Sequence, residues 1–248
     1  MTTEFAEIES AVKDIDGWLR PEQAQKLWDL AATAPDDATV VEIGSFHGRS
    51  TVVLGSAVGE NAMVYAIDPH AGNDRGPGEW HGEADDGQAD HDAFISNLKR
   101  FDLTDRVTHV REFSQKAGHL VPGEIDVLYI DGAHGYSPAL SDIVEWGARV
   151  RPGGSMAIHD TYTSVFVTFA VMRSLWWTSE WEYLGRERSM TLFRKVPHRL
   201  SGRSRFTNLV HQVSNVPWFA KNCVVKGLDA VGLSSLSRLG QGPGGGVY

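Results

Sequence analysis

Three groups of residues in this 248-residue chain have types and spacings suited to chemistry. The first is Glu42-Ile43-Gly44-Ser45-Phe46-His47-Gly48, an apolar run that ends in a glycine turn just before a helix start at Ser50. Glycine permits conformations and close approaches that a Cβ forbids. The first turn of the next helix aims amide donors at whatever sits above it. The second is Asp68, which ends the following apolar run twenty residues beyond Gly48. An acid at that place can accept both hydroxyl protons of a ribose. The third is a pair of strand ends, Asp131 with His134 three residues later, and His159-Asp160. Carboxylates beside imidazoles suit a divalent cation, and an imidazole near neutral pKa suits proton transfer. Each group has a plainer reading. The turn could be a structural βα connection. Asp131 could cap a helix or contact a cofactor amine, His159 could be a buried strand histidine, and His134 could orient a substrate. Asp142, on the next helix, could brace His134 or simply face solvent.

These residues need elements to position them, and the patterning supplies an alternation. Apolar, β-branched runs at Thr39–Ile43, Met63–Ile67, Arg106–Val110, Ile125–Ile130 and Ser155–Ile158 read as strands. Between them, Ser50–Val58, Phe94–Phe101, Pro138–Val150 and Val165–Trp177 read as helices. In Pro138–Val150 the inward face is Leu140, Ile143, Val144 and Gly147. Glu4–Thr33 reads as helical, broken at Asp16-Gly17 and restarted at Pro21. Trp181–Leu184 and Ser189–Lys195 read as a closing antiparallel pair. Alternation of this kind predicts an α/β fold with a mainly parallel sheet covered on both faces. Gly72–Asp92 lacks periodicity and reads as a lid loop with a solvated acidic cluster containing His81 and His91. Gly240–Gly246 is a low-complexity end.

Composition narrows the function. The single Cys223 excludes an intrachain disulfide and a cysteine zinc site and fits a reducing compartment. No stretch reaches membrane-span length, and Met1–Ser10 lacks an apolar run, so the expectation is cytoplasmic. The net charge of −9 argues against general nucleic-acid binding. It is unevenly spread: residues 197–248 hold six Lys/Arg and one acid, a basic tail on an acidic body. Such a tail packs on its own domain through Leu209, Val210, Val213, Val216, Trp218 and Phe219, docks on a second copy, or touches an acidic surface. No Gly-x-Ser-x-Gly elbow, Gly-Lys-Ser/Thr loop or Gly-x-Gly-x-x-Gly fingerprint occurs in the chain.

Val41–Thr51, with Asp68, Ile130-Asp131-Gly132-Ala133-His134, Arg151-Pro152-Gly153-Gly154 and Ile158-His159-Asp160, resembles the class I S-adenosylmethionine-dependent methyltransferases. Within them it is similar to the small-molecule and sugar O-methyltransferase branch, the macrocin O-methyltransferase type and the actinomycete and mycobacterial polysaccharide-modifying enzymes included. The resemblance spans about Gly17–Lys195 and does not extend to the tail. It implies a Rossmann-like seven-stranded sheet with the last strand antiparallel. It implies S-adenosylmethionine with its methionine end near Gly44 and Ser45, its ribose at Asp68, and its adenine bordered by Glu112, Phe113 and Ser114. Glu42, Gly48, Ser50, His70 and Asp131 are further expected cofactor contacts. The chain also resembles metal-dependent catechol-type and macrolide-type O-methyltransferases, which implies Mg²⁺ held by Asp131, Asp160 and His159, with His134 as general base. His134 stands where catechol-type members carry Lys, and His159-Asp160 where they carry Asp-Asn.

The expected organisation is a methyltransferase domain over 1–196, N-terminal helices included, and a basic helical extension over 197–248. The expected partners are a small-molecule or oligosaccharide acceptor and a second copy in a homodimer. The expected reaction methylates a sugar hydroxyl, with Trp80, Tyr136 and Tyr162 as aromatic faces for the acceptor. Phenolic or macrolide acceptors, a nicotinamide-dependent oxidoreductase and a non-catalytic scaffold are the alternatives.

Overall fold

A computed structural model describes residues 4–72 and 84–230. Two helices come first, α1 (Phe5–Ala11) and α2 (Pro21–Ala32). Pro21 opens α2, where its missing N–H costs nothing, and Arg20 N donates to Gln23 Oε1 at 3.0 Å. The alternation follows: β1 (Thr39–Ile43), α3 (Arg49–Ala57), β2 (Met63–Ile67), α4 (Ala84–Arg100), β3 (Val107–Val110), the short α5 (Ser114–Ala117) and β4 (Ile125–Ile130). Next come α6 (Tyr136–Ser141), a π turn at Asp142–Trp146, α7 (Gly147–Arg149) and β5 (Val150–Ile158). The chain continues through α8 (Val165–Leu175), β6 (Trp181–Glu187), β7 (Met190–Lys195), α9 (Gly202–Val213) and α10 (Val216–Ala230).

The seven strands form one sheet in the order β3-β2-β1-β4-β5-β7-β6, parallel except that β7 runs antiparallel to both neighbours. This is the Rossmann-like methyltransferase fold expected from the sequence. β1 and β4 are the central strands and are almost wholly buried, so their apolar runs cover both faces. One core lies under α1–α4 and includes Leu27, Leu54 and Phe94; the other lies under α6–α8 and includes Ile143, Trp146 and Val171. Among the described residues no helix is long and apolar enough to cross a membrane.

Three expectations need correction. The segment read as a lid loop is helical from Ala84 onward; its part at 73–83, with Trp80 and His81, lies outside the described residues. Gly240–Gly246 lies outside them too. Val144, expected inward, is exposed, while Asp142, Ile143 and Trp146 are buried. The π turn widens the helix by one residue and rotates the inward face away from the regular period. In the tail, Val210 and Val213 are exposed, while Leu209, Val216, Trp218 and Phe219 are half-buried, Phe219 against Tyr162 and Phe169, and Asn208, Gln212, Asn222 and Val225 are buried.

The tightest point of the fold lies between β1 and β4. Gly44 sits at φ +88°, and a Cβ there would stand 2.2 Å from the Asp131 carbonyl oxygen. Backbone cannot yield as a flexible side chain can. Gly44→Ala is expected to lower unfolding stability by about 2–4 kcal/mol in denaturant titration.

Candidate active site at the carboxyl edge of the sheet

Register builds the site. Ile43 pairs with Ile67 on one side and Ile130 on the other, and Ile130 pairs with Ile158. The next residue of each strand therefore stands in one row: Gly44, Asp68, Asp131 and His159. The ladder bonds continue one step beyond the strands, with Gly44 N donating to Ile67 O (2.9 Å), Asp131 N to Ile43 O (2.8 Å) and His159 N to Ile130 O (2.9 Å). This row lies beyond the carboxyl ends of parallel strands, where open α/β sheets bind ligands.

Beneath the glycine turn, the wholly buried Glu42 accepts from the Ser50 and Thr51 hydroxyls at the start of α3. Burial pushes its carboxyl up to about 8; the two hydroxyls oppose the shift, and the charges of Asp131 and Asp68 add to it. Glu42 and Ser50, both expected cofactor contacts, thus satisfy each other and brace the turn from below. Gly48, at φ +85°, caps α3 from the left-handed region. Ser45 is buried and its hydroxyl has no partner among the described residues. A buried orphan hydroxyl at a glycine turn fits the polar end of a bound molecule.

Asp68 organises the next position. Its Oδ2 accepts from Phe46 N (2.9 Å) and its Oδ1 from His70 N (2.8 Å), so the carboxylate holds two loops together and keeps further lone pairs. Phe46 and His70 both take positive φ to make this possible. His70 Nε2 donates to Phe46 O at 2.8 Å, and His70 Nδ1 lies 3.2 Å from His109 Nε2. Burial, with the nearby His70 and His91, pushes His109 down to about 4. His91 is thus a helix residue of α4 whose ring lies 5.1 Å from that of His109, not part of a solvated loop. His47, inside the glycine turn, donates from Nε2 to Asp90 of α4 at 2.8 Å. Sequence pattern offered no sign of His109, since a lone histidine in a short strand carries no spacing.

The expected adenine border lies after β3. Glu112 accepts from Phe113 N at 2.7 Å, the Phe113 ring is exposed, and the Ser114 hydroxyl donates to Asp142 Oδ1 at 2.6 Å. Burial raises Asp142 to about 6, against the pull of Ser114 and with a push from Glu145. Asp142 therefore serves the Ser114 side, where Gln115 Nε2 also donates to it at 3.5 Å.

The remaining groups converge across β4 and β5. His134 Nε2 lies 2.9 Å from Asp160 Oδ2, and Thr163 donates to the other Asp160 oxygen at 2.9 Å. The Tyr129 hydroxyl donates to Asp131 Oδ2 at 2.9 Å. His159 Nδ1 lies 3.1 Å from Asp131 Oδ1 and 3.5 Å from Asp160 Oδ2, with no N–H aligned on either. Burial alone would lower His159, but the two carboxylates override it and hold the imidazole well above its usual value. Burial would likewise raise Asp160, yet the His159 and His134 imidazoles keep it well below the usual carboxylate range. Ligand atoms of Asp131, His134 and Asp160 all lie within 4.8 Å of one another. The convergent set thus includes His134, which sequence reading kept as a base, and not His159. Tyr136 is exposed beside this set, whereas Tyr162 is fully buried with its hydroxyl on Gln212 O (3.1 Å), so it presents no face to an acceptor.

Residues 41–161 match the family described as a methyltransferase domain. Solved structures of similar fold include the O-methyltransferase NovP, at 14% identity over 76% of this chain and 88% of that one, TM-score 0.58. The O-methyltransferase TomG from Streptomyces achromogenes, involved in tomaymycin synthesis and solved with S-adenosylmethionine, is 16% identical over 79% of this chain and 92% of that one, TM-score 0.50. An rRNA methylase from Streptococcus thermophilus is 14% identical over 73% of this chain and 99% of that one, TM-score 0.52. The domain match, the sheet order and the row of strand-end groups support a class I S-adenosylmethionine-dependent methyltransferase. O-methyltransferases stand among its structural neighbours.

A carboxyl whose folded pKa is raised is protonated in the native state and ionised in the unfolded one. Glu42 therefore supports the fold fully below its unfolded value near 4.5, and that support is lost as pH rises toward about 8. Unfolding midpoints in urea are expected to fall from pH 5 to pH 8, and Glu42→Gln should flatten that slope. Equal slopes in the two proteins would contradict the assignment.

Proposed function

We propose that this protein is an S-adenosylmethionine-dependent O-methyltransferase acting on a hydroxyl of a sugar or oligosaccharide. The observation that carries the reaction is the convergence of His134, Asp160 and Asp131 next to the glycine turn. Methyl transfer from a sulfonium needs little covalent help. The protein has to align oxygen, carbon and sulfur, take one proton and exclude water.

Ser45 and the backbone of the glycine turn hold the methionine end of the cofactor, and the spare lone pairs of Asp68 take the ribose hydroxyls. Phe113 and Ser114 border the adenine. Asp160 fixes the His134 ring through Nε2, and the imidazole removes the acceptor proton. His159, held between the two acids, balances their charge and keeps them in place. Two carboxylates and an imidazole within 4.8 Å form a donor set that fits Mg²⁺ or Mn²⁺. Asp131 and Asp160 would hold the ion, with His134 kept as the base, and the ion would supply Lewis acidity toward the acceptor hydroxyl when bound. The sugar acceptor is favoured by family resemblance and by the exposed aromatic face of Tyr136 beside His134.

Calorimetric titration tests the cofactor reading: S-adenosylmethionine is expected to bind, and Asp68→Ala to weaken it by about 10–100-fold. Absence of binding to the wild-type protein would remove every role given above. His134→Ala is expected to lower kcat by about 10²–10⁴-fold on a sugar acceptor while cofactor affinity stays unchanged. Turnover that survives EDTA undiminished would remove the metal and leave the base in place.

A further inference from the structure

Helix α9 is built inside out. Its inward positions are polar: Gln212 is 0% exposed and Asn208 7%. Both anchor the helix, Asn208 bridging Trp181 O and Tyr183 N, and Gln212 donating to Leu175 O. The outward positions are apolar: Phe206 is 59% exposed, Val210 48% and Val213 41%. These three recur at i, i+4 and i+7, so they form one stripe. A surface helix ordinarily turns that stripe to the core. Here hydrogen bonding anchors the helix, and the stripe is left facing outward. Trp177, also exposed, lies beside this helix beneath the Arg205 guanidinium, 4.7 Å from ring centroid to carbon.

The charge on the two helices of the extension is one-sided, while the neighbouring β6 segment carries the exposed Glu180 and Glu182. Arg203 stands one turn before Phe206 on the same side, and Lys221 is exposed on α10. Helix α9 contains no Asp or Glu, and α10 contains only Asp229, although the chain as a whole carries −9. Two occupants compete for such a face. A second copy docking through a two-fold axis would bring the same patch against itself and set Arg203 against like charge. An anionic lipid surface complements both properties at once, because it accepts apolar side chains and an interfacial tryptophan and attracts Lys and Arg.

We propose that the α9 face is a peripheral docking surface for an anionic membrane, with Phe206, Val210 and Val213 entering the headgroup boundary and Arg203 pairing with lipid phosphate. The inference is independent of the acceptor proposed above.

Flotation of the full chain with vesicles tests it. Binding is expected to vesicles of phosphatidylcholine with phosphatidylglycerol, not to phosphatidylcholine alone, and to weaken as salt rises. Phe206→Ser and Arg203→Glu are each expected to reduce vesicle binding by about fivefold or more. Arg203→Lys should retain it, and the melting temperature and S-adenosylmethionine affinity of all three variants should match wild type. Two results would overturn the proposal. One is wild-type protein that ignores anionic vesicles. The other is a dimer in light scattering that Phe206→Ser converts to monomer.

Discussion

The approach of Gly44 to the Asp131 carbonyl is the constraint on which the rest of the site depends. It locks the end of β1 against the end of β4 with no space for a methyl group. One side of that contact carries the turn suited to a cofactor, the other the acids and imidazoles suited to an acceptor. In the proposed reaction a methyl group crosses between these two regions, and separating them by the width of one side chain would open a gap in that path. Glu42 stabilises the same point from below by joining β1 to the first turn of α3.

Charge is handled differently in the two halves of the site. Around the glycine turn Glu42 and His109 are driven toward their neutral forms by burial, and Asp68 spends its charge on backbone amides. At the ends of β4 and β5 the opposite holds. His159 and Asp160 are strongly desolvated, yet their mutual attraction outweighs that cost and keeps both ionised. Isolated buried charges are expensive, and a compact set of opposite charges is the arrangement that tolerates burial. That leaves a polar, preorganised corner beside an otherwise apolar pair of cores.

The extension after β7 follows another logic. It is fastened by side-chain amides to backbone groups at the end of α8 and along β6, with Asn222 donating to Tyr162 O as a further anchor. Apolar residues released from packing duty then appear on the outside. Sequence reading expected Val210 and Val213 to pack on their own domain or on a second copy because hydrophobicity is ordinarily a guide to burial. Asn208 reversed that rule by bonding to the backbone of β6, and Gln212 by donating to the end of α8.

The strands, their parallel arrangement and the chemically useful residues could all be read from the sequence. Short β-branched runs, glycine turns and acids at run ends are local patterns, and the boundaries of β1, β2 and β4 follow from them directly. Tertiary structure alone decided which strand ends stand side by side. The pairing of Ile43 with Ile67 and Ile130, and of Ile130 with Ile158, aligns Gly44, Asp68, Asp131 and His159. It also decided that His134 reaches Asp160, that His109 meets His70, that Tyr162 is buried and that a π turn exposes Val144. Register, helix phase and the burial of single side chains depend on contacts between segments far apart in the chain. A local pattern can name the groups available for chemistry, but distances between them arise only when the sheet is assembled.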